Sequence, residues 1–376
     1  MLAQPPFWFI ALAFLAAIGP LVFIHELGHY LVARWCGVGA ESFSIGFGRE
    51  VAGWTDKRGT RWKIGWLPLG GYVRFVGDMN AASQAGNEED LAPGDRERAF
   101  HLKPVWQRFL IVLAGPVANF LLAVAIFVFF FASFGAPRTP ALVSQVQPSS
   151  AAARAGLAPG DQIVSVAGEG VDSFEDLQRI VAIRPGLRAE LVVERGGAER
   201  TIAVTLGRDR RVDEFGQPYE VGLLGVMPAG RVLERLSVPE LFPAAVGYTA
   251  ALTKSMADGL WQIISGQRST KDLGGPIKMA QIAGQQASLG PFEFIQLLAL
   301  FSINLGFINL LPIPMLDGGH LLFYMAEAAR RRPLSLRAQE WAFRGGLALL
   351  LALMLFATVN DLTSIGLVDR LGRLIG

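Results

Sequence analysis

The segment Phe23–Arg34 reads FIHELGHYLVAR and contains three side chains suited to metal chemistry. His25 and His29 are four residues apart, so on a helix they share one face about one turn apart, which suits two imidazole ligands on one Zn²⁺. Glu26 lies beside the first histidine and can act as a general base toward water. These groups follow a long apolar run, where ionisable side chains are costly and are usually kept for function.

A catalytic zinc needs a third protein ligand and one open position. The candidates are the carboxylates, His101, His320 and Cys36. The thiol of Cys36 is expected at a different level of the helix from His29, and His101 is expected in a loop or at the interface. His320 is open to three interpretations: an interfacial residue, a residue supporting the site, or a substitute ligand. The best candidate is Asp317.

Asp317 lies in INLGFINLLPIPMLDGGH, where we expect it to end an apolar helix. Prolines within this segment break the helix at membrane depth, and Gly318 and Gly319 allow the backbone to pass close to the histidine helix. Non-helical backbone at that depth is tolerated only where it is buried in protein or faces a water-filled cavity. The segment therefore predicts the second half of a metal site.

The chain around these motifs has the composition of a membrane protein. Of its 376 residues, 52% are hydrophobic, and the mean hydropathy is positive. The predicted spans are Phe7–Ile24 (a retained helix bent or weakened at Pro20), Phe109–Phe134, Phe294–Leu311 and a short one of roughly 15 residues, Gly345–Val359. The single cysteine excludes an intramolecular disulfide framework.

The distribution of Lys and Arg over the loops predicts the orientation of the chain in the membrane. Lys and Arg are frequent between the first two spans and after the third, which makes the loop of residues 37–104 cytoplasmic by the positive-inside rule. The N-terminus and the long segment after the second span then lie on the outer side of the membrane, which is the periplasm in a bacterial inner membrane. A net charge of +2 spread over both signs leaves no basic footprint, so we expect no nucleic-acid partner.

The segment after the second span has the pattern of a small α/β domain. Strands are predicted at Gln162–Val166, Ala189–Glu194 and Arg200–Leu206, with a helix that begins near Ser173. Asp161 is expected to cap backbone N–H groups of a turn. The run AGLAPGDQIVSVAGEGV resembles a PDZ domain of the circularly permuted type found in bacterial membrane and periplasmic proteases. Such a domain implies a groove for a peptide or C-terminus; a spacer with an unused groove is the alternative.

Two further segments are predicted near the membrane. RWKIGWLPLGGYVRF, Arg61–Phe75, is expected to form a hairpin that turns at Pro68–Gly71. Residues 239–264 are expected to form an amphipathic helix lying on the outer membrane face, because Lys254 and Asp258 interrupt their apolar sequence.

Taken together, these motifs resemble the site-2 protease family of intramembrane zinc metalloproteases, in particular the bacterial regulator of sigma-E protease group, with one PDZ domain instead of two. HELGH matches the family's HExxH, NLLPIPMLDGG matches its NxxPxPxxDGG, and GPVAN at Gly115–Asn119 matches an element of the second core helix. The resemblance extends from Phe7 to about Phe323. It implies a polytopic α-helical membrane protein of about four transmembrane helices, with a membrane-associated β-hairpin and one inserted α/β PDZ domain.

The resemblance also implies roles. His25, His29 and Asp317 would be the zinc ligands and Glu26 the general base, and Asn309 would contact the substrate backbone or support an oxyanion. The expected location is the bacterial inner membrane. The expected substrates are single-span membrane proteins, of the anti-sigma-factor or remnant-signal-peptide type, cleaved within the lipid bilayer.

The predicted domains are an N-terminal membrane core, the PDZ domain, a linker with the amphipathic interfacial segment, and a C-terminal membrane core. Their limits are residues 1–137, 138–210, 211–290 and 291–376. Two alternatives remain at this stage: a catalytically inactive PDZ-containing membrane adaptor and a zinc-dependent transporter. Glu26 disfavours the adaptor, because a structural metal site needs ligands but no base.

Overall fold

The structure is a computed structural model of the 376-residue chain. It describes residues 5–78, 91, 94–212, 218–230, 232–267, 269, 274–332 and 334–364. The chain divides into two compact units. The membrane unit comprises Met1–Phe129 with Phe242–Gly376, and the inserted unit comprises Phe130–Leu241.

Long apolar helices dominate the membrane unit. In chain order the described helices of the whole protein are α1 (Phe7–Trp35), α2 (Val105–Phe134), α3 (Ala151–Ala155), α4 (Phe174–Ala182), α5 (Val238–Ile264), α6 (Pro276–Leu289), α7 (Pro291–Asn309), α8 (Asp317–Arg330) and α9 (Leu336–Ser364). Four of them, α1, α2, α7 and α9, are long and apolar enough to cross a membrane. A helix satisfies its own backbone hydrogen bonds, which is what a hydrocarbon environment requires.

The last of these spans differs from its predicted form. It is not short: α9 contains 29 residues and begins at Leu336, nine residues before the start of the predicted span. In this charged first part, Arg344 pairs with Glu340 one turn earlier at 2.6 Å on an exposed surface. In α1 the helix continues through Pro20 as one element of 29 residues.

The segment between α1 and α2 forms a long two-stranded hairpin, β1 (Ala40–Thr55) and β2 (Arg61–Phe75). The prediction that Arg61–Phe75 forms a hairpin is wrong in its pairing, because the two arms, residues 61–64 and 71–74, lie on opposite sides of residues 42–45 of β1 and not against each other. The arms do run in opposite directions, so the chain reverses between residues 64 and 71, where the turn was predicted. A further turn joins β1 to β2 at residues 56–60, where the Asp56 carboxylate accepts hydrogen bonds from the N–H groups of Arg58 and Thr60. Local Asx-turn chemistry thus sets the reversal of the chain.

The hairpin also folds back on itself. Residues 42–45 of β1 pair with residues 71–74 on one side and with residues 61–64 on the other. The Thr60 hydroxyl donates to the Ala40 carbonyl oxygen at 3.0 Å, so the polar turn returns to the start of β1. SIGFG, residues 44–48, lies inside β1 and not in a turn, with Gly46 and Gly48 in the left-handed region.

The inserted unit is the predicted α/β domain. Its strands are β3 (Ala136–Arg138), β4 (Val143–Val146), β5 (Gln162–Val166), β6 (Glu169–Gly170), β7 (Arg188–Arg195), β8 (Ala198–Thr205), β9 (Gly207–Val212), β10 (Pro218–Leu223), β11 (Val226–Pro228) and β12 (Val232–Glu234). The main sheet has the order β6-β5-β7-β8, and the remaining strands form the pairs β9-β10, β4-β11 and β3-β12. The predicted fold class is confirmed as a polytopic helical membrane protein with a long hairpin and one inserted α/β domain.

Sequence signals set several local features of the inserted unit. Ser173 is the N-cap of α4, and its Oγ accepts from the N–H of Asp176 at 3.1 Å. Asp161 accepts from the N–H of Ala158 at 2.9 Å, as predicted for a turn cap. It also pairs with Arg195 at 2.5 and 2.7 Å, and these hydrogen bonds hold the pKa of the Asp161 carboxyl below its usual range. Alternating apolar residues of β5 and β7 pack against α4 to form the core.

Candidate metal centre

Helix α1 presents the HELGH side chains on one buried face. His25, Glu26 and His29 are 8 to 9% exposed. The two Nε2 atoms lie 3.2 Å apart, with the rings edge-on to each other. Gly28 lets α1 and α2 approach closely, because a Cβ at this position would lie 2.4 Å from the carbonyl oxygen of Ala114. The i, i+4 spacing therefore brings both imidazoles to one point between two helices.

Asp317 reaches the same point from the other end of the chain. Its Oδ2 lies 3.1 Å from Nε2 of His25 and 3.5 Å from Nε2 of His29. The prediction that Asp317 ends the preceding apolar helix is wrong in detail. Helix α7 stops at Asn309, and Asp317 is the first residue of α8.

The connecting segment explains this change. Residues 310–316, which include both prolines, are non-helical, as the proline positions predicted. The two glycines that follow, Gly318 and Gly319, pack most closely against this segment. A Cβ on Gly318 would lie 2.3 Å from the Leu311 carbonyl oxygen, and one on Gly319 would lie 2.4 Å from that of Ile313. They let α8 begin tightly against the connection, which directs the Asp317 carboxylate toward the histidines.

The three potential ligand atoms fit a zinc ion. In a tetrahedral site with bonds of about 2.0–2.1 Å, adjacent ligand atoms lie about 3.3–3.4 Å apart. The separations here are 3.1, 3.2 and 3.5 Å. Oδ2 of Asp317 is buried and has no hydrogen-bond partner among the residues that the structure describes. A carboxylate oxygen and two imidazole nitrogens that converge in this way suit a divalent cation.

Helix α2 supports the histidines. Nδ1 of His29 lies 2.8 Å from the Ile111 carbonyl oxygen and donates its proton there, which leaves Nε2 free as a ligand. Gly115 provides the room for both rings, since a Cβ there would lie 2.2 Å from Nε2 of His29 and 2.9 Å from Cε1 of His25. The GPVAN motif marked this part of α2 in the sequence, although no role for Gly115 followed from it.

A cavity of about 280 Å³ opens on the three candidate metal ligands. It is lined by Glu26 and by two residues singled out in the sequence, Asn309 and His320. The His320 ring lies 5.2 Å from that of Phe343. His320 is therefore a wall residue of the site cavity and is outside the three-residue ligand cluster.

Strand β2 forms one wall of this cavity, through residues 70–73. Gly71 packs directly on α1, because a Cβ there would lie 2.7 Å from Val22 Cγ1 and 3.0 Å from Glu26 Cγ. Residues 71–74 pair with β1 on one side, and no other described strand pairs with them. Sequence reasoning placed this segment near the membrane but did not identify its contact with Glu26.

The other ligand candidates lie apart from the centre. His101 Nε2 lies 2.9 Å from Oδ1 of the buried Asp78, and Asp78 also accepts from the N–H of Phe75 at the end of β2. Cys36 is the C-cap residue of α1. Neither side chain belongs to the cluster that His25, His29 and Asp317 form within the described part of the chain.

Comparison with known proteins places this arrangement in a family. The model for Peptidase family M50 matches residues 13–353. A relative from Agrobacterium fabrum named as a zinc metalloprotease is 43% identical and covers 94% of this chain and 95% of its own length. The metalloprotease MmpA of Caulobacter vibrioides is 40% identical over 98% of this chain and 99% of its own.

The inserted unit also has similar solved structures. The PDZ domain of the SdrC-like protein from Listeria monocytogenes is 19% identical over 23% of this chain and 84% of that chain, with a TM-score of 0.18. Its counterpart from Listeria innocua is 18% identical over 25% of this chain and 99% of that chain, with a TM-score of 0.19.

The fold and the relatives define a membrane zinc metalloprotease. The chain belongs to peptidase family M50, the site-2 protease family that the motifs indicated. Four apolar helices and this family fit an inner-membrane protein. The predicted enzyme class and its zinc cofactor are thereby confirmed.

Proposed function

We propose that this protein cleaves single-span membrane proteins within the bilayer, using zinc held by His25, His29 and Asp317. The observation that carries the proposal is the convergence of three ligand atoms from α1 and α8, with Glu26 buried beside them. Both elements belong to the membrane unit. Since intramembrane ionisable groups are expensive to bury, a cluster of four favours a reaction at that depth.

The roles of the side chains follow from their chemistry. A bound zinc would polarise the scissile carbonyl and acidify water. Glu26 is the general base: it follows His25 in α1, lines the cavity, and takes the proton of the attacking water. Asn309 lines the same cavity and would contact the substrate backbone or support the developing oxyanion.

Strand β2 would hold the substrate. A transmembrane helix hides its carbonyl groups in its own hydrogen bonds, so it must unwind before it is cut. The segment of residues 71–74 lies beside Glu26 and is paired with β1 on one side. An extended substrate segment could add to its other edge by backbone hydrogen bonds. Helix-breaking residues in the substrate would ease this unwinding.

The PDZ-like domain would select substrates. A groove of about 610 Å³ lies between α4 and residues 221–226. Phe174, Leu177 and Val181 line it from the helix side. Strand β11 pairs with β4, and no other described strand pairs with it. An extended peptide or C-terminus fits such a groove, so the domain would admit membrane proteins whose outer part has already been trimmed.

The substrates and the orientation complete the proposal. The substrates would be of the anti-sigma-factor or remnant-signal-peptide type. The N-terminus and the inserted unit would be periplasmic, and residues 37–104 would be cytoplasmic. The four predicted domains, 1–137, 138–210, 211–290 and 291–376, stay predictions, and residues 221–226 of the groove and the rest of the inserted unit to Leu241 extend past the predicted end of the PDZ domain. In the third, residues 239–264 would lie at the outer interface; α5 is not among the four candidate spans.

A Glu26→Gln variant tests the mechanism. Purified full-length protein is incubated with a model single-span substrate, and the products are located by mass spectrometry. The wild type should cut within the apolar span, and the variant should lose about 100-fold or more in rate while retaining zinc, because only the base is removed. Glu340→Gln, at an exposed carboxylate of α9, is the matched control. Cleavage by zinc-loaded Glu26→Gln at the wild-type rate would reject the mechanism.

A further inference from the structure

The GPVAN motif of α2 contains a buried amide beside the metal centre. Asn119 is 0% exposed. Its Nδ2 lies 3.1 Å from Nδ1 of His25, the ring nitrogen that faces away from the proposed zinc position. Its Oδ1 is buried and has no hydrogen-bond partner in the described part of the chain. A buried amide with an unsatisfied oxygen requires an explanation.

The protonation of a ligating histidine provides one. A histidine that binds metal through Nε2 carries its proton on Nδ1, and that N–H needs an acceptor. His29 has one, the Ile111 carbonyl oxygen at 2.8 Å. The group within reach of His25 Nδ1 is Asn119, but as oriented its donor Nδ2 faces the ring. Two N–H donors cannot hydrogen-bond to each other.

A half-turn of the amide removes the conflict. Oδ1 and Nδ2 are nearly equal in size and exchange places without moving other atoms. Oδ1 then accepts the proton of His25 Nδ1, and the otherwise unpartnered oxygen gains its hydrogen bond. The backbone of Asn119 is held by helix α2 itself, and its carbonyl oxygen also accepts from Ser302 Oγ of α7 at 2.7 Å.

We propose that Asn119 is a positioning residue for zinc, which orients the His25 ring and holds its proton on Nδ1 through the side-chain oxygen. Together with the Ile111 carbonyl, it makes α2 the support for both histidines. This role deepens the proposed function and rests on His25 being a ligand. Loss of such a supporting hydrogen bond typically weakens metal affinity by about 10–100-fold.

Zinc affinity of the full-length protein in detergent tests the proposal, measured by competition with a chromophoric chelator. Asn119→Leu keeps the bulk and removes the acceptor, so its affinity should fall by about 10–100-fold. Asn119→Asp restores an acceptor of the same shape and should bind at least as tightly as the wild type. This rescue separates orientation of the ring from simple packing.

Two further variants complete the experiment. Ser302→Ala removes the hydrogen bond to the Asn119 backbone and should bind zinc as the wild type does. His25→Ala should lose zinc. If His25→Ala binds like the wild type, the ligand set of the proposed function is wrong; if it loses zinc and Asn119→Leu does not, only the role of Asn119 is wrong.

Two outcomes overturn the inference directly: wild-type affinity in folded Asn119→Leu, and equal weakening of Asn119→Asp and Asn119→Leu. Folding is judged by helical circular dichroism and cooperative unfolding of the metal-free protein. Should Asn119→Leu fail to fold, Asn119→Ala, which removes the acceptor without adding bulk, replaces it under the same criteria.

Discussion

At the scale of single residues, the metal centre depends on groups that the HExxH pattern does not contain. The pattern supplies His25, Glu26 and His29, but Gly115 makes room for the two rings and the Ile111 carbonyl oxygen fixes one of them. A short helical motif predicts which side chains share a face. It cannot predict which backbone atoms of another helix will hold those side chains.

The convergence of His25, His29 and Asp317 was predictable because each half of the candidate site carries its own sequence signature. HELGH marks a helix face, and the prolines and glycines before and after Asp317 mark broken helix at depth. The structure brings the two halves together, with Oδ2 of Asp317 within 3.5 Å of both histidines. The helix to which Asp317 belongs was not predictable. Residues 310–316 form a non-helical connection, so Asp317 begins α8 and does not end α7.

One residue-scale prediction concerns pH and Asp161 of the inserted unit. The hydrogen bonds from Arg195 lower the pKa of the Asp161 carboxyl when the domain is folded. A group with a depressed folded pKa stabilises the fold above its unfolded pKa of about 3.9, and this stabilisation is lost as the pH falls through the lower, folded pKa. Asp161→Asn should therefore cost about 2 kcal/mol at neutral pH, and the cost should diminish below about pH 4.

Pulse proteolysis in urea, with cleavage mapped to residues 130–241 of the full-length protein, measures this difference. Asp172→Asn, at an exposed carboxylate before the same α4 helix, should leave stability unchanged at all pH values. If the stability difference between wild type and Asp161→Asn did not change with pH, the stabilisation would not come from the ionised Asp161 carboxylate.

At the scale of elements, the contact of β2 with α1 shapes the cavity beside the candidate metal ligands. Pro68, Gly70 and Gly71 are turn-forming residues, and the pairing register does reverse between residues 64 and 71. The sequence did not predict that β1 lies between the two arms of this segment. The glycine at residue 71 is also needed for packing, because it lies against Val22 and Glu26.

An alanine at position 71 tests this contact. Its Cβ would overlap the Ser44 carbonyl oxygen and the Val22 side chain, both at 2.7 Å, so β2 must move away from Glu26. We expect cleavage of the model substrate to fall at least about 10-fold with zinc content unchanged, because the ligands lie on other elements. Gly170→Ala, at an open position of strand β6, is the control and should have wild-type activity. Wild-type cleavage by Gly71→Ala would show that the packing of β2 does not control the reaction.

At the scale of the whole molecule, one chain combines a membrane unit that contains the candidate metal centre with an inserted unit that contains a groove of about 610 Å³. Hydropathy predicted four spans, and four helices in the described part of the chain are long and apolar enough to cross a membrane. It underestimated the length of the last helix, whose charged start carries the Arg344–Glu340 pair. The orientation follows from loop charge alone and remains a prediction.

Site-directed cysteine labelling tests the orientation in intact cells. Single cysteines are introduced in a Cys36→Ser background at two exposed positions. Glu199→Cys reports on the inserted unit, and Lys57→Cys reports on the turn between β1 and β2. A membrane-impermeant maleimide added after outer-membrane permeabilisation should label the first and not the second. Both should react after lysis. Labelling of Lys57→Cys in intact cells, with Glu199→Cys protected, would reverse the proposed topology.

The central claim is that residues nearly three hundred positions apart hold one zinc ion, and the zinc content of an Asp317→Ala variant tests it most directly. Metal would be measured by mass spectrometry on the purified full-length protein. Asp258→Ala, on an exposed carboxylate of α5, is the matched control. We predict one zinc per chain in the wild type and in the control, and a loss of most of it in Asp317→Ala, since two imidazoles alone hold zinc weakly. Undiminished zinc in folded Asp317→Ala would contradict the claim.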